Sequence, residues 1–178
     1  MFSVILRPSW EPARLGLVSL AAGAAMAEAG RSTSGLTVRC DWPNDLLVED
    51  RKVGGILAES EIAEGRVRHV VVGVGVNLVA PDDVPDAAAL GPVDAETTLS
   101  RFLGRLRELL TDEARMPDAW RAVAATLGRR VEAVTVGGVA VRGDAADVDD
   151  TGALLIDTDA GRVRVAAGDV HRVRDAPA

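Results

Sequence analysis

The first 80 residues alternate between short apolar segments and polar turns, and this pattern predicts strands arranged around one helix. An apolar stretch opens the chain at 2–7, and an alanine-rich run over 13–29 is typical of a packed helix. The polar segment 30–35 predicts a loop. We expect the following strands to form an antiparallel meander with the helix on one face, the last of them central and buried on both faces. These strands are predicted at 36–40, 46–48, 53–59 and 69–76.

The second half of the chain predicts two helices followed by a small β domain. Leucines and a phenylalanine recur at three- and four-residue spacing over 99–110, with charged residues opposite, as in an amphipathic helix. A second helix is expected from Pro117 to near Gly128. Beyond it, valine-rich segments separated by glycine turns predict a small β-barrel or sandwich over 128–174. The fold class is therefore α+β, with a mixed, mostly antiparallel sheet flanked by helices. The expected domains are 1–127 and 128–178.

Composition and charge narrow the classes of function. Hydrophobic residues make up 48% of the 178 residues and charged residues 26%, which is typical of a globular protein. The net charge of −7 argues against a general nucleic-acid binder, because phosphate neutralisation needs a basic surface. The apolar run at 15–29 is too short and too weakly apolar to span a membrane. Cys40 has no cysteine partner, which favours a reducing cytoplasm, and no His/Cys cluster indicates a transition metal.

Lys52 is the first candidate for chemistry, because it is the only lysine in a chain that otherwise uses arginine. It stands just before Gly54 and Gly55, and paired glycines in a strand mark a bulge or the close approach of a ligand. A compact ammonium beside exposed backbone amides suits an anionic oxygen or a phosphate. The alternative is an ordinary solvated lysine in a hairpin.

Two further segments carry polar groups that suit a ligand. Asn44 and Asp45 close a turn made rigid by Pro43, and on local evidence alone they are more typical of turn capping. The glycines of 73–77 lie within a strand and open no helix, which argues against a Rossmann or Walker site. They leave room above the sheet, where Asn77 presents both a donor and an acceptor to a planar heterocycle.

These segments resemble the motifs of the biotin protein ligases, the biotin–[acetyl-CoA-carboxylase] ligases. That family shows Lys-Trp-Pro-Asn-Asp, then Lys-[Leu/Val]-[Gly/Ala]-Gly-Ile-Leu-[Val/Ala]-Glu, then Gly-x-Gly-x-Asn. The corresponding segments here are Asp41–Asp45, Lys52–Glu59 and Gly73–Asn77, in the same order and at similar spacing. The resemblance covers nearly the whole chain. It implies a class II synthetase or biotin ligase-like catalytic domain and a small SH3-like C-terminal β-barrel.

The resemblance also implies a two-step reaction. Biotin and ATP, with Mg²⁺ riding on the phosphates, give biotinyl-5′-adenylate, which a lysine of biotin carboxyl carrier protein then attacks. Lys52 would stabilise the biotin carboxylate and the α-phosphate, and Asp45 would orient the adenylate and the incoming lysine. Asn77 would bind adenine, while Gly55 and Gly73 would admit the biotin rings. Further motif positions expected to border the substrates are Trp42, Asn44, Gly54, Ile56 and Gly75.

The chain departs from the family pattern in two ways. Asp41 replaces the family's lysine, which puts an anion at the edge of an anionic ligand and is expected to weaken binding. The family's arginine- and glycine-rich loop, which closes over biotin and ATP, lies upstream of the first strand and is not among these residues. We therefore expect an N-terminally truncated ligase that labels its carrier poorly alone and recovers when the upstream segment is restored.

Two alternatives and one open question accompany this interpretation. One alternative is a non-catalytic or partner-dependent fragment that binds biotinyl-adenylate. The other is a lipoate- or octanoate-transferring relative, against which the Trp-Pro-Asn-Asp motif and the small C-terminal barrel favour biotin. Because the DNA-binding domain of the repressor subgroup is absent from the sequence, operator binding is not expected. A homodimer stays open.

Overall fold

The computed structural model describes residues 1–81, 83–85 and 87–172. It shows two five-stranded antiparallel sheets, with helices packed on the first sheet. This confirms the α+β class. The strands of the first sheet are β1 (Phe2–Leu6), β2 (Val38–Asp41), β3 (Asp45–Val48), β4 (Arg51–Ala63) and β5 (Arg66–Val76). The helices are α1 (Gly16–Ser34), α2 (Ala95–Leu110) and α3 (Met116–Arg121). The strands of the second sheet are β6 (Arg130–Thr135), β7 (Ala140–Val148), β8 (Leu154–Thr158), β9 (Gly161–Val165) and β10 (Gly168–Arg172).

The first sheet has the order β1-β5-β4-β3-β2, so β2 to β5 form the predicted meander and β1 joins at the edge of β5. One expectation for β5 is wrong. Its alternate valines Val70, Val72 and Val74 are buried on the side of α1, but Gly73 and Gly75 on the opposite side are only half-buried. The sheet therefore has one face on the core and one face open along its glycines.

α1 is longer than predicted, because it continues through the segment that was expected to be a loop. The hydroxyl groups of Thr33 and Ser34 donate to helix carbonyls one turn earlier, which keeps these polar residues compatible with the helix. The helix ends at Gly35, whose φ of 75° is the left-handed conformation common after a helix C-terminus. Gly30 lies inside the helix because a larger residue would crowd β2: a Cβ there would lie 3.2 Å from the Val38 side chain.

α2 agrees with the predicted amphipathic helix, and the side chain of Asp94 caps it by accepting from the Thr97 amide at 2.7 Å. α3 is shorter than predicted, since it ends at Arg121 and not near Gly128. The residues after it pair with β2 instead: the Cys40 amide donates to Val123 and the Ala125 amide donates to the Cys40 carbonyl. Backbone pairing with the sheet thus replaces the last turns of the expected helix.

The second sheet has the order β10-β6-β7-β8-β9, and its described strands do not form a closed barrel. This sheet and its turns lie close to α1 and α3 at two places. A Cβ on Gly16, at the start of α1, would lie 2.6 Å from the Thr151 carbonyl oxygen. Arg121 donates to Asp147 at 2.7 Å. The last two residues of the predicted 128–174 range lie outside the described residues.

Among the described residues, no helix is both long and apolar enough to cross a membrane.

Candidate active site

A cavity of about 450 Å³ opens on the glycine-lined face of the first sheet, at the ends of β4 and β5. Its floor and one side are formed by residues of the two glycine motifs, and its opposite wall comes from the loop that follows β5. The motif residues that line it are Lys52, Gly54, Gly55, Gly75 and Asn77. The loop contributes Pro81, Val84 and Ala87. The structure therefore brings five of the ten residues that the sequence singled out into the lining of one cavity, and Gly73 is not among them.

Lys52 and Asp45 form an ion pair beside this cavity, with 2.6 Å between Nζ and Oδ1. The lysine side chain is 60% exposed and the aspartate side chain 34%. A register shift where β3 pairs with β4 explains how the lysine reaches the glycines. Val53 and Ile56 both face the core because of it, so Lys52 and Gly55, three residues apart, both face the open side.

The glycines of the site differ in what they do. A Cβ at Gly75 would meet nothing within 4 Å, so this position leaves open space above the sheet. A Cβ at Gly55 would lie 3.5 Å from the Asp45 carboxylate, which is ordinary contact. A Cβ at Gly54, in contrast, would lie 2.2 Å from the Gly75 carbonyl oxygen. Gly54 is therefore required for the close approach of β4 and β5, while Gly75 leaves room for a ligand.

Asn44 and Ile56 hold the turn that carries Asp45 against β4. The Asn44 carbonyl accepts from the Ile56 amide at 2.8 Å, and its Nδ2 donates to the Ile56 carbonyl at 2.9 Å. The side chain of Ile56 is buried in the core, with 2% of its surface exposed. The structure thus gives both residues an anchoring role, and their expected contact with substrate stays a prediction.

Trp42 lies at the joint between the two sheets and away from the cavity. Its side chain is 3% exposed, and its indole N–H donates to the Gly152 carbonyl at 3.0 Å. Its backbone amide donates to the Thr126 hydroxyl at 2.7 Å. A substrate contact by the indole has no support from this geometry, because the ring faces the second sheet.

Asp41 faces the same joint. Its carboxylate accepts from the Thr126 hydroxyl at 2.5 Å. Burial of the neighbouring Cys40 thiol, and to a lesser extent the charge of Asp41, raises the pKa of that thiol well above its ordinary range. Cys40 is therefore a protonated core residue and no nucleophile.

Asn77 fixes the loop that forms the far wall of the cavity. Its Nδ2 donates to the Ala88 carbonyl at 3.1 Å, and its backbone bonds to Val53 and Leu90. The Ala88 amide donates in turn to the Lys52 carbonyl at 2.8 Å. Sequence reasoning gave no role to Ala88 or to the loop, since their contribution is made by backbone groups with no signature in residue type.

Models of two protein families match the chain. The Biotin/lipoate A/B protein ligase family matches residues 1–77, which hold the three motifs, and the Biotin protein ligase C terminal domain matches residues 126–172. The two matches flank α2 and α3, and the second begins at Thr126, whose hydroxyl bonds to the Asp41–Asp45 turn in the first.

Curated relatives include the bifunctional ligase/repressor BirA of Bacillus subtilis, 30% identical over 95% of this chain and 57% of the relative. The biotin–[acetyl-CoA-carboxylase] ligase of Mycobacterium tuberculosis is 38% identical over 75% of this chain and 52% of its own length. The chain thus spans a little over half the length of these relatives. It is also similar to the biotin–[acetyl-CoA-carboxylase] ligase of Paracoccus denitrificans, 33% identical over 94% of this chain and 78% of the relative.

Solved structures agree on the fold. The apo biotin protein ligase of Aquifex aeolicus superposes with a TM-score of 0.82 at 23% identity, over 97% of this chain and 81% of that one. The same Aquifex aeolicus ligase in complex with biotin and ATP gives a TM-score of 0.80. The sequence matches and this shared architecture lead to one conclusion: the chain belongs to the biotin protein ligase family.

Proposed function

We propose that this chain carries the adenylate-binding half of an enzyme that attaches biotin to a lysine of biotin carboxyl carrier protein, using ATP and passing through biotinyl-5′-adenylate. The observation that carries the proposal is the cavity of about 450 Å³ in which Lys52, the glycines of two motifs and Asn77 meet. A cation over an open backbone floor suits a ligand with a ring system at one end and a phosphate in its middle.

Lys52 supplies the charge in this proposal. Its ammonium sits on Asp45 in the absence of ligand, but the side chain is long and more than half exposed, so it can turn to an anionic oxygen at little cost. There it neutralises charge that develops on the α-phosphate as the acyl phosphate forms and breaks. Asp45, freed from that pair, accepts a hydrogen bond from the carrier lysine and orients it toward the acyl carbon.

The glycine floor and the loop wall of the cavity would bind different parts of the ligand. Gly55 and Gly73 leave the outer face of the sheet without side chains, and this is where we place the biotin rings. Gly75 lies opposite Gly55 in the β4–β5 register, so the open floor crosses both strands. Asn77 and the loop it holds face this floor, and they would bind the adenine.

Asp41 need not weaken binding of the anionic ligand. Its carboxylate accepts from Thr126 at the joint between the sheets. We propose that Asp41 holds this joint together by accepting the hydrogen bond of the Thr126 hydroxyl. The lysine of the family motif would offer no acceptor atom to that hydroxyl.

The C-terminal match favours biotin over lipoate, because the second family is one of biotin protein ligases only. We also propose the domain division at 1–127 and 128–178, with the second sheet as an SH3-like barrel in which β10 returns to pair with β6. Mg²⁺ would enter with the phosphates. In the described part of the chain, no group of three or more His, Cys, Asp or Glu residues could hold a metal ion, so the phosphates themselves would carry it.

The test is ATP-dependent biotin labelling of a carrier domain, detected with avidin, together with calorimetric binding of a non-hydrolysable biotinyl-adenylate analogue. Both are measured with the 178-residue chain and with the family's arginine- and glycine-rich segment restored upstream. We expect little labelling by the first and clear labelling by the second. Replacing biotin by octanoate or lipoate should abolish the signal.

Lys52→Ala is the decisive variant, and Arg51→Ala is its matched control. Arg51 is the neighbouring cation, exposed and 3.6 Å from Glu49, away from the cavity. Loss of the charge that contacts the phosphate should slow adenylation about 100-fold or more in Lys52→Ala, and leave Arg51→Ala close to the unchanged chain. Equal rates in the two variants would contradict the role assigned to Lys52.

A further inference from the structure

The buried hydroxyl of Thr126 lies at the joint between the two sheets, between the Trp42 amide and the Asp41 carboxylate. Thr126 is 1% exposed, and its Oγ1 both accepts from the Trp42 amide and donates to the Asp41 carboxylate. A single hydroxyl thus bonds to two consecutive residues at the start of the turn that carries Asp45. The bond to a carboxylate is the stronger kind of hydrogen bond.

The same turn is anchored at its other end on β4. Asn44 bonds to the Ile56 backbone through its carbonyl and its side chain, and Asp45 pairs with Lys52. Residues 41–45 are therefore fixed at one end by the segment that leads into the second sheet and at the other end by the strand that lines the cavity. A shift of the first end is therefore expected to reach the carboxylate that holds Lys52.

The segment around Thr126 is itself firmly placed. Cys40 in β2 bonds to Val123 and Ala125 through its backbone, and the Arg39 guanidinium donates to the Ala124 carbonyl at 2.5 Å. The Trp42 indole reaches beyond Thr126 to Gly152 in the turn between β7 and β8. The hydroxyl is consequently held by the fold and is not free to follow a moving turn.

We propose that Thr126 is a positioning residue: its hydroxyl sets the position of the Asp41–Asp45 turn and thereby couples the second sheet to the Lys52–Asp45 pair. The consequence for catalysis rests on the proposed function, while the coupling itself does not. Thr126 touches no lining residue of the cavity through its hydroxyl; it acts through Asp41 and Trp42.

The test compares Thr126→Val, Thr126→Ser and Thr98→Val in the full chain. Valine keeps the shape of threonine and removes the hydroxyl, and serine restores it. Thr98 is the matched control, since it is also buried, at 5% exposure, and its hydroxyl bonds to Asp94 and Thr33 within the helical layer. Amide hydrogen exchange measured by NMR compares two amides with the Val72 amide in the centre of the sheet: the Trp42 amide in the turn, and the Ile56 amide in β4, which donates to the Asn44 carbonyl of the turn.

Removing the hydroxyl leaves the buried Trp42 amide without this acceptor, so Thr126→Val should speed exchange at Trp42 and Ile56 about tenfold or more. Exchange at Val72 should change much less. Thr126→Ser should restore the slow rates, and Thr98→Val should leave Trp42 and Ile56 unaffected. A uniform rise at all three amides, or no rise at Ile56, refutes the coupling. If Thr126→Val does not fold, Asp41→Asn takes its place, with a smaller rise expected at the same amides.

Binding of the biotinyl-adenylate analogue separates this inference from the proposed function. If the unchanged chain with its upstream segment binds the analogue, Thr126→Val should bind it several-fold more weakly and Thr126→Ser normally. If the unchanged chain does not bind it, the proposed function fails, and the exchange pattern alone decides on the coupling. Weaker binding in Thr126→Val without local exchange at Ile56 would contradict the positioning role.

Discussion

Gly75 and Gly54 lie on adjacent strands and line the same cavity. Replacing each of them in turn distinguishes an effect on ligand binding from an effect on the stability of the fold. Gly75→Val adds three carbon atoms at a position where a Cβ meets nothing within 4 Å. No strain is expected, and a β-branched residue in place of glycine in a strand should hold or raise the free energy of unfolding by about 0.5–1 kcal/mol. Gly54→Ala adds one carbon atom 2.2 Å from the Gly75 carbonyl oxygen and 3.1 Å from the Val76 Cα.

The two variants should therefore fail in opposite ways. In Gly54→Ala, β4 and β5 must move apart, which costs about 1–3 kcal/mol and lowers Tm by about 3–10 °C. In Gly75→Val, the melting temperature should stay level or rise, but the new side chain would occupy the floor on which we propose that the ligand binds. If the clash with the valine side chain costs the ligand about 1–3 kcal/mol of binding free energy, its affinity falls about 5- to 150-fold.

The assay is differential scanning calorimetry of both variants, with titration calorimetry of the biotinyl-adenylate analogue on the chain that carries the restored upstream segment. Gly104→Ala is a neutral reference for binding, since Gly104 lies in α2 with open space around it and away from the cavity. Unchanged binding by Gly75→Val would show that the glycine floor is not the ligand site. A fall in its Tm as large as that of Gly54→Ala would show that the space above Gly75 does not admit a side chain.

Two further predictions concern the joint between the sheets. Partial burial opposes the charge of Asp149, but hydrogen bonds from Thr151, Arg164 and backbone amides outweigh it and lower the pKa to about 2. Because this pKa lies below that of the unfolded chain, the stabilisation is present above the unfolded pKa of about 4 and is lost as pH falls toward 2. Unfolding of the unchanged chain and of Asp149→Asn, measured between about pH 7 and about pH 2.5, should show the difference in their stability shrinking below about pH 4. A difference that grew on acidification would contradict this sign. Gly16→Ala should lower the free energy of unfolding by about 1–3 kcal/mol, since its Cβ meets the Thr151 carbonyl. Gly104→Ala, in the open middle of α2, should raise the free energy of unfolding by about 0.5–1 kcal/mol. Urea unfolding measures both variants, and equal effects on stability would refute this prediction.

Apolar patterning was enough to predict the strands of the meander and the amphipathic α2, because the apolar residues of each element pack into the core. It failed where polar residues satisfy helical geometry through side-chain bonds, as Thr33 and Ser34 do at the end of α1. It failed again after Arg121, where a helix-compatible sequence pairs with β2 instead. Both outcomes depend on tertiary contacts that residue type alone does not encode.

In the candidate site, too, the sequence predicts some features and tertiary contacts determine the others. The motifs identify Lys52, Asp45 and the glycines. The structure places Lys52, Gly54, Gly55 and Gly75 in the lining of one cavity, with Asp45 paired to Lys52 beside it. The motifs do not tell which way each side chain points, and Trp42, though central to its motif, turns to the second sheet. Thr126 had no signal at all: a single threonine after a helix is common, and only its two bonds distinguish it.

The position of Trp42 also explains why its motif contains more than ligand-binding residues. Asp45 must be held to within a fraction of an ångström if it is to pair with Lys52 or with an incoming amine, and a turn of five residues does not hold it alone. The large indole, buried against Gly152, and the hydroxyl of Thr126 give the turn a fixed base outside the first sheet. The second sheet and the segment that leads into it therefore hold the turn without lining the cavity. We expect substitutions along their contact with residues 41–45 to alter the Lys52–Asp45 pair before they alter the cavity itself.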